Sequence, residues 1–214
     1  MADTGINRIF LIFILGIIAA IGPFTIDMYL PGFQRIADDL GTTEREVTFT
    51  LTSYFTGIAA GQLVYGPIVD KYGRKKPLLI GLSIYIIAAI LIAVSSSVHF
   101  MIGFRFVQAL GACAGIVAST AIITDVYPPA YRARAFSSIA LVMGVAPLIA
   151  PAIGSYFIIH ADWEYIFCFL AAFALVVATV IFIFLPETAK YMHCLLYTSP
   201  SPRDTERSRM PSSA

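Results

Sequence analysis

The chain has 214 residues, of which 58% are hydrophobic and 13% are charged, and its formal net charge is +1. With a mean hydropathy of +0.82, this composition leaves too little polar surface to cover a water-soluble globule and argues against a nucleic-acid partner. It predicts a protein that is largely solvated by lipid.

Six apolar runs follow one another along the chain, each long enough to cross a hydrocarbon core of about 30 Å as a helix. They lie at about 9–30, 47–69, 77–97, 100–124, 135–158 and 164–185. Backbone polar groups must be paired in lipid, and none of the short alternating strands of a barrel appears. We therefore predict an all-α membrane protein with six transmembrane helices.

Basic residues are concentrated in alternate connections between these runs. One side carries Arg8, Lys71, Arg74, Lys75, Lys76, Arg132, Arg134 and Lys190, and the other carries Arg35 and Arg45. The excess of lysine and arginine marks the cytoplasmic side, so both termini are predicted to be cytoplasmic. Trp163 and Tyr165 then fall at the outer headgroup level, where they are expected to act as interfacial anchors.

Two charged residues interrupt the apolar runs, and charges inside a span point to function. Asp27 is about four residues from the outer end of the first run, and Arg105 is about five residues from the same boundary in the fourth. Because their depths match, we expect both to face one polar cavity and to interact directly or through water. A static ion pair that only joins two helices is the alternative. Gln62 and Gln108 are uncharged candidates for the same cavity, with simple interhelical hydrogen bonding as the alternative.

The connection between the second and third runs is a tight turn that combines glycines with charges, over residues 66–76. Gly66 is expected to permit close helix approach, and Gly73 can take the positive φ that a turn needs. Asp70 is expected to cap or bridge a neighbouring helix end and so to hold one conformational state. Topology alone accounts for the basic Arg74 and Lys75 beside it.

The fifth run carries a stripe without bulky side chains. Gly144, Pro147, Pro151 and Gly154 fall within an arc of about 80° on a helix. A second helix can pack closely against such a stripe, and the prolines permit a bend. Pure packing and a role in gating both remain open.

The chain changes character after the sixth run. From Cys194 the sequence reads CLLYTSPSPRD and then TERSRMPSSA, which resembles translated sequencing adapter at two separate places. Residues 194–214 are therefore predicted to be an artefact and disordered, with a Ser/Pro-rich natural tail as the alternative.

Four segments together resemble one transporter family, the major facilitator superfamily. Residues 66–76 are similar to its loop signature, and 105–111 to its arginine motif in the fourth helix. Residues 144–154 are similar to the antiporter signature of the Bcr/CflA-type drug exporters, and 25–31, with Tyr29, resemble the start of that subfamily. The likeness covers residues 1 to about 190.

This resemblance implies a twelve-helix protein of the bacterial inner membrane, in which two six-helix domains rock around a midplane site and exchange hydrophobic drug-like compounds for protons. Asp27 becomes a proton and drug-site candidate, Arg105 its partner, and Asp70 with Arg74 a lock against the opposite domain. The helix-five stripe is implied to pack across the domain interface. We expect this chain to be the N-terminal half, inactive without six further helices, and we expect no cofactor besides the coupling proton.

Other functions are possible in principle. An uptake symporter for a small polar metabolite is the nearest rival, and a membrane binding or scaffold protein would bind ligand without ion flux. An enzyme is not expected, because His99, His160 and His193 have no HExxH or GxSxG arrangement around them and no metal site is indicated.

Overall fold

A computed structural model describes residues 8–185 and 187. Over these residues the chain forms seven α-helices and one 3₁₀ turn, Leu30–Gly32. The helices are α1 Arg8–Asp27, α2 Phe33–Asp39, α3 Glu44–Tyr72, α4 Lys75–Ala93, α5 Val98–Val126, α6 Pro129–His160 and α7 Glu164–Phe184. The all-α prediction is confirmed, whereas the predicted adapter-derived segment 194–214 and Lys190 lie outside the described residues.

Helix ends coincide with local sequence signals. Thr43 caps α3, because its hydroxyl accepts a hydrogen bond from the backbone N–H of Glu46 at 3.3 Å. Gly73 ends the same helix with a φ of +91°, a conformation that glycine adopts without steric cost. The positive φ predicted for Gly73 is therefore confirmed. Pro129 opens α6 at a position where a missing N–H costs no hydrogen bond.

The first predicted span differs from the observed helix. Residue 30 was the expected end, but α1 ends at Asp27 and the chain continues through the 3₁₀ turn into the short helix α2. A glycine, Gly32, separates the two elements. The apolar character of residues 28–37 reflects packing of this extension on the bundle, with Met28, Tyr29 and Ile36 fully buried.

Within the part of the chain that the structure describes, five segments are long and apolar enough to cross a membrane, namely the run Phe10–Asp39 and the helices α4, α5, α6 and α7. Helix α3 has 29 residues, about 44 Å of helix. It is less apolar than the others because threonine, serine and glutamine are interleaved along it. It nevertheless packs along α5 for much of its length.

The long helices alternate in direction along the chain and pack around α5, which contacts α3, α4 and α1, while α4 packs on α7 and α1 on α6. Gly111 of α5 lies so close to α4 that a Cβ on it would meet the Gly81 carbonyl oxygen at 2.6 Å. The bundle has two ends. We call the end with the α3–α4 and α5–α6 connections the basic end, and the end with residues 28–43, 94–97 and 161–163 the acidic end.

Candidate functional site

Arg105 lies in the core of the bundle, near the acidic end, and is fully buried. Its guanidinium carbon lies 3.9 Å from the ring centre of Tyr29, 5.0 Å from that of Tyr54 and 5.4 Å from that of Phe167. These rings come from the segment after α1, from α3 and from α7. Their faces attract the cation, and we refer to Arg105 with these three rings as the arginine box.

Hydrogen bonding within the arginine box is sparse. Arg105 Nη1 donates to Gln108 Oε1 at 2.9 Å, and both Nη atoms lie 3.4 Å from the backbone oxygen of Thr25. Arg105 Nε, Gln108 Nε2 and the Tyr54 hydroxyl have no hydrogen-bond partner within residues 8–185 and 187. Among the described residues, no carboxylate lies within ion-pair distance of Arg105. The site is a buried cation held by rings, one amide and one carbonyl.

A second polar layer surrounds the box. The Tyr29 hydroxyl lies 3.0 Å from Thr50 Oγ1, which donates to the Val47 carbonyl. Thr25 Oγ1 lies 2.6 Å from both the Tyr85 hydroxyl and the Ile21 carbonyl. These bonds fix the rings and the Thr25 carbonyl in place around the cation.

Asp27 and Arg105 were expected to interact directly or through water, and the direct form of this interaction is not observed among the described residues. Asp27 is partly buried at the end of α1 and makes no ion pair or hydrogen bond within residues 8–185 and 187. Thr25 presents its carbonyl to Arg105, and residues two apart on a helix point about 200° away from each other. Asp27 and Arg105 do lie near the same end of the bundle, but Asp27 is the last residue of α1 rather than four residues inside its helix, and its carboxylate does not meet Arg105 among the described residues.

Gln62 also lies elsewhere. It is exposed on α3 and lines a cleft of about 360 Å³ between α3 and α5, together with Gly66 and Asp70. The prediction that Gln62 shares a cavity with Arg105 is therefore wrong. Gln108 and Tyr29, in contrast, are both in direct contact with Arg105.

The predicted turn of residues 66–76 holds a second buried arginine. Arg74 is 2% exposed. Its Nε donates to Asp125 at 2.9 Å, its Nη1 donates to Asp70 at 2.9 Å and to the Val69 carbonyl at 2.7 Å, and its backbone N–H donates to Glu187 at 2.8 Å. Burial lowers the pKa of Arg74, but the hydrogen bonds and charges of Asp125 and Asp70 outweigh it and raise the pKa overall. The cluster joins α3, α5 and the segment after α7.

Two neighbouring residues complete this cluster, and one prediction fails there. Lys75 Nζ donates to the Phe182 carbonyl at 2.8 Å and so attaches the start of α4 to α7. A Cβ at Gly73 would meet the Glu187 carboxylate at 2.7 Å. Close helix approach at Gly66 is not observed, since a Cβ there would meet nothing within 4 Å.

The stripe predicted on the fifth apolar run lies on α6, and its residues have two different environments. At Gly154 an added Cβ would clash with the backbone oxygen of Met28. Gly144 and Pro147 are exposed and Pro151 is partly buried, and nothing lies within 4 Å of a Cβ on Gly144. Packing across a domain interface, as the resemblance implied, is therefore wrong for Gly154, which packs within this bundle.

Several contributors to the two sites were not singled out from the sequence. Asp125 and Glu187 bind Arg74, while Thr25, Tyr54 and Phe167 surround Arg105. An acidic residue at the end of the fourth apolar run was the available signal for Asp125. No sequence signal marked Tyr54 or Phe167, since buried aromatic residues occur throughout the chain. Trp163, expected at the lipid interface, is 1% exposed and packs edge-on against Phe167 at 6.1 Å.

Comparison with known proteins agrees with the fold. Residues 12–200 match the model of the Major Facilitator Superfamily. The chain is 37% identical over 187 residues to the Uncharacterized MFS-type transporter YdgK of Bacillus subtilis (strain 168), covering 86% of this chain and 46% of that protein. It is 38% identical over 176 residues to the Bicyclomycin resistance protein homolog of Haemophilus influenzae, covering 82% and 44%.

Solved structures show the same architecture. The crystal structure of a D-xylose-proton symporter superposes with a TM-score of 0.76 at 14% identity, covering 94% of this chain and 53% of that one. The chain thus spans about half the length of the relatives it matches. Its helices correspond to the N-terminal half of that fold, and the chain belongs to the Major Facilitator Superfamily.

Proposed function

We propose that this chain forms one half of a proton-coupled exporter of hydrophobic drug-like compounds in the bacterial inner membrane. The basic end is cytoplasmic in this proposal, in keeping with its lysine and arginine excess. Relatedness to a protein named for bicyclomycin resistance supports the substrate class. Transport requires a second six-helix half, because the midplane site of this fold lies between two halves, and we expect the present chain alone not to transport.

One observation carries the proton-coupling part of the proposal: the end of α1, which bears the partly buried Asp27 carboxylate, touches the buried Arg105, yet the two side chains form no ion pair among the described residues. Arg105 hydrogen-bonds the Thr25 carbonyl, two residues from Asp27. Local unwinding of the last turn of α1, or its rotation by nearly half a turn, would replace that carbonyl by the Asp27 carboxylate. An adjacent guanidinium favours the ionised carboxylate, and separation of the two favours protonation.

The proposed cycle uses these two arrangements. With Asp27 away from Arg105, as in this structure, the carboxylate accepts a proton. With Asp27 beside Arg105, the proton is released. Drug binding that favours the second arrangement releases the proton, and this exchange is the antiport step.

The Arg74 cluster supports a second part of the proposal, the conformational lock. Its bonds hold three segments together at the basic end, and Asp70 remains 66% exposed on its outer side. That carboxylate is accessible to a helix end of the second half. We propose that it contacts this half in one of the two transport states.

The test uses a complete transporter that contains this half, reconstituted in vesicles with a pH-sensitive dye. Adding bicyclomycin should release protons from the parent protein, and the Asp27→Asn variant should release none. Asp38→Asn is the matched control, since Asp38 is exposed at the same end and should leave the release unchanged. Proton release that survives Asp27→Asn would refute coupling at this residue. Proton uptake together with substrate would indicate symport, and binding without ion flux would indicate a non-transporting protein.

A further inference from the structure

A deep apolar groove opens on the outside of the bundle, between α3 and α4. Its volume is about 770 Å³. Val64, Ile68 and Tyr72 form one wall and Pro77, Ile80 and Ile84 the other, with α5 as the floor. The two helices are joined directly by the turn at Gly73 but make few contacts beyond it, because both pack on α5 instead.

The groove begins at the basic end and runs into the membrane. From Tyr72 back to Val64, and from Lys76 to Ile84, each wall covers nine residues, whose eight steps along the helix span about 12 Å. This length is close to half of a hydrocarbon core of about 30 Å. The groove therefore has about the length of the hydrocarbon part of one leaflet, and its lining is apolar apart from Lys76 at the basic end.

Two lysines lie at the mouth of the groove. Lys76 is part of its lining, and Lys71 lies beside it with Nζ 5.2 Å from the ring centre of Tyr72. Both side chains are exposed, and neither has an acidic partner in the described part of the chain. The nearest acid in sequence, Asp70, is bound to Arg74 and lines the cleft on the other side of α3. The mouth is thus positively charged.

We propose that this groove binds an anionic phospholipid of the leaflet at the basic end. The acyl chains occupy the space between α3 and α4, and the phosphate lies between Lys71 and Lys76. Basic pockets between transmembrane helices attract such headgroups, and Tyr72 is placed at headgroup level where aromatic side chains are favoured. The site is separate from the arginine box and does not depend on proton coupling.

The test measures quenching of a tryptophan in the groove by brominated lipids. The chain contains one tryptophan, Trp163, so Trp163→Phe removes the native tryptophan fluorescence. In this background Ile80→Trp reports on the groove. Ile87→Trp is the matched control, because Ile87 lies on the same face of α4 beyond the groove and is 58% exposed against 60% for Ile80. Each protein is reconstituted with brominated phosphatidylglycerol or brominated phosphatidylcholine.

We expect brominated phosphatidylglycerol to quench Ile80→Trp more strongly than brominated phosphatidylcholine does. At Ile87→Trp the two lipids should quench equally. Adding Lys71→Gln or Lys76→Gln should reduce the preference for phosphatidylglycerol about fivefold for each lysine. Arg134→Gln, which removes an exposed cation from α6 at the same end, should leave it unchanged. Equal preference at the two reporter positions, or a preference that the lysine substitutions do not reduce, would overturn the proposal.

Two further controls keep the result decisive. Because Trp163 is buried, its replacement can disturb folding, and the same reporters are therefore also measured with Trp163 retained, after subtraction of the parent signal. In a complete transporter, failure of both brominated lipids to quench Ile80→Trp would show that protein covers the groove, which would also refute lipid binding there.

Discussion

Arg74 and Arg105 are both buried, but the protein compensates their charges in opposite ways. The Arg74 guanidinium donates to Asp125, Asp70 and the Val69 carbonyl at 2.7–2.9 Å. Arg105 has three aromatic rings, one amide oxygen and one distant carbonyl. The first arginine is neutralised by acids and joins three segments of the bundle. The second keeps an uncompensated charge in the core.

This difference separates a structural site from a site suited to switching. A buried ion pair loses several kcal/mol when one partner is removed, so the Arg74 cluster is expected to stabilise a fixed arrangement. A buried cation held by rings can exchange its weak carbonyl contact for a carboxylate without breaking an existing ion pair. Arg105 therefore has the chemistry that a proton-dependent movement of Asp27 requires.

The largest expected effect follows from removing Arg74. In Arg74→Ala the carboxylate of Asp125, which is 13% exposed, is left without its cation. The free energy of unfolding in bicelles should fall by about 3–5 kcal/mol. A loss below about 1 kcal/mol would contradict the structural role assigned to this arginine.

A smaller effect is expected from the two acids that bind Arg74, and they form a matched pair. Asp125→Asn should cost about 1.5–3 kcal/mol, since it weakens a buried hydrogen bond between charged groups. Asp70→Asn should cost at most about 1 kcal/mol, because the Asp70 side chain is 66% exposed and solvent screens its charge. Both are measured as unfolding free energies, and equal costs would show that burial does not distinguish the two bonds.

Arg105→Met should change stability by no more than about 2 kcal/mol, because no carboxylate is left behind and the side chain has similar length. Proton-coupled export by the complete transporter should nevertheless be lost. Arg105→Lys should not restore it, since an ammonium lacks the planar group that stacks between the rings. If Arg105→Met retained export, Arg105 would have no role in proton coupling, and its contrast with the structural Arg74 would be wrong.

The smallest effect concerns the support of the arginine box. Tyr29→Phe keeps the ring over Arg105 but removes the hydroxyl that meets Thr50, so a cost of about 0.5–1.5 kcal/mol is expected. A double-mutant cycle with Thr50→Val measures the coupling between the two hydroxyls. Additive costs would show that their contact contributes nothing.

The sequence predicted the helices and the depth of the charges better than it predicted their partners. Rise per residue fixes depth, which is why Asp27 and Arg105 were correctly expected near the same end. Direction around the helix depends on which neighbours a helix packs against, and this placed Asp27 away from Arg105. Arg74 binds Asp125 and Glu187, which lie 51 and 113 residues further along the chain. Such pairings follow from helix packing, which hydropathy alone does not determine.

The aromatic contributors show the same limit of sequence reasoning. Tyr29 belonged to a segment that resembles a known subfamily, whereas Tyr54 and Phe167 were indistinguishable from other apolar residues of their helices. Trp163 was expected in lipid because its position along the chain suits an interfacial anchor. Its burial reflects packing between the end of α6 and the start of α7, which composition does not reveal.

The contact of Gly154 with Met28 has a mechanical consequence for α6. Near the acidic end, Gly154 of this helix lies against the backbone of the segment after α1, whereas Gly144 and Pro147 in its middle turns are exposed. Pro147 and Pro151 lie on the basic-end side of this contact, where they remove helical hydrogen bonds and permit a bend. Bending at these prolines would move the basic-end half of α6 relative to the part that is held at Gly154.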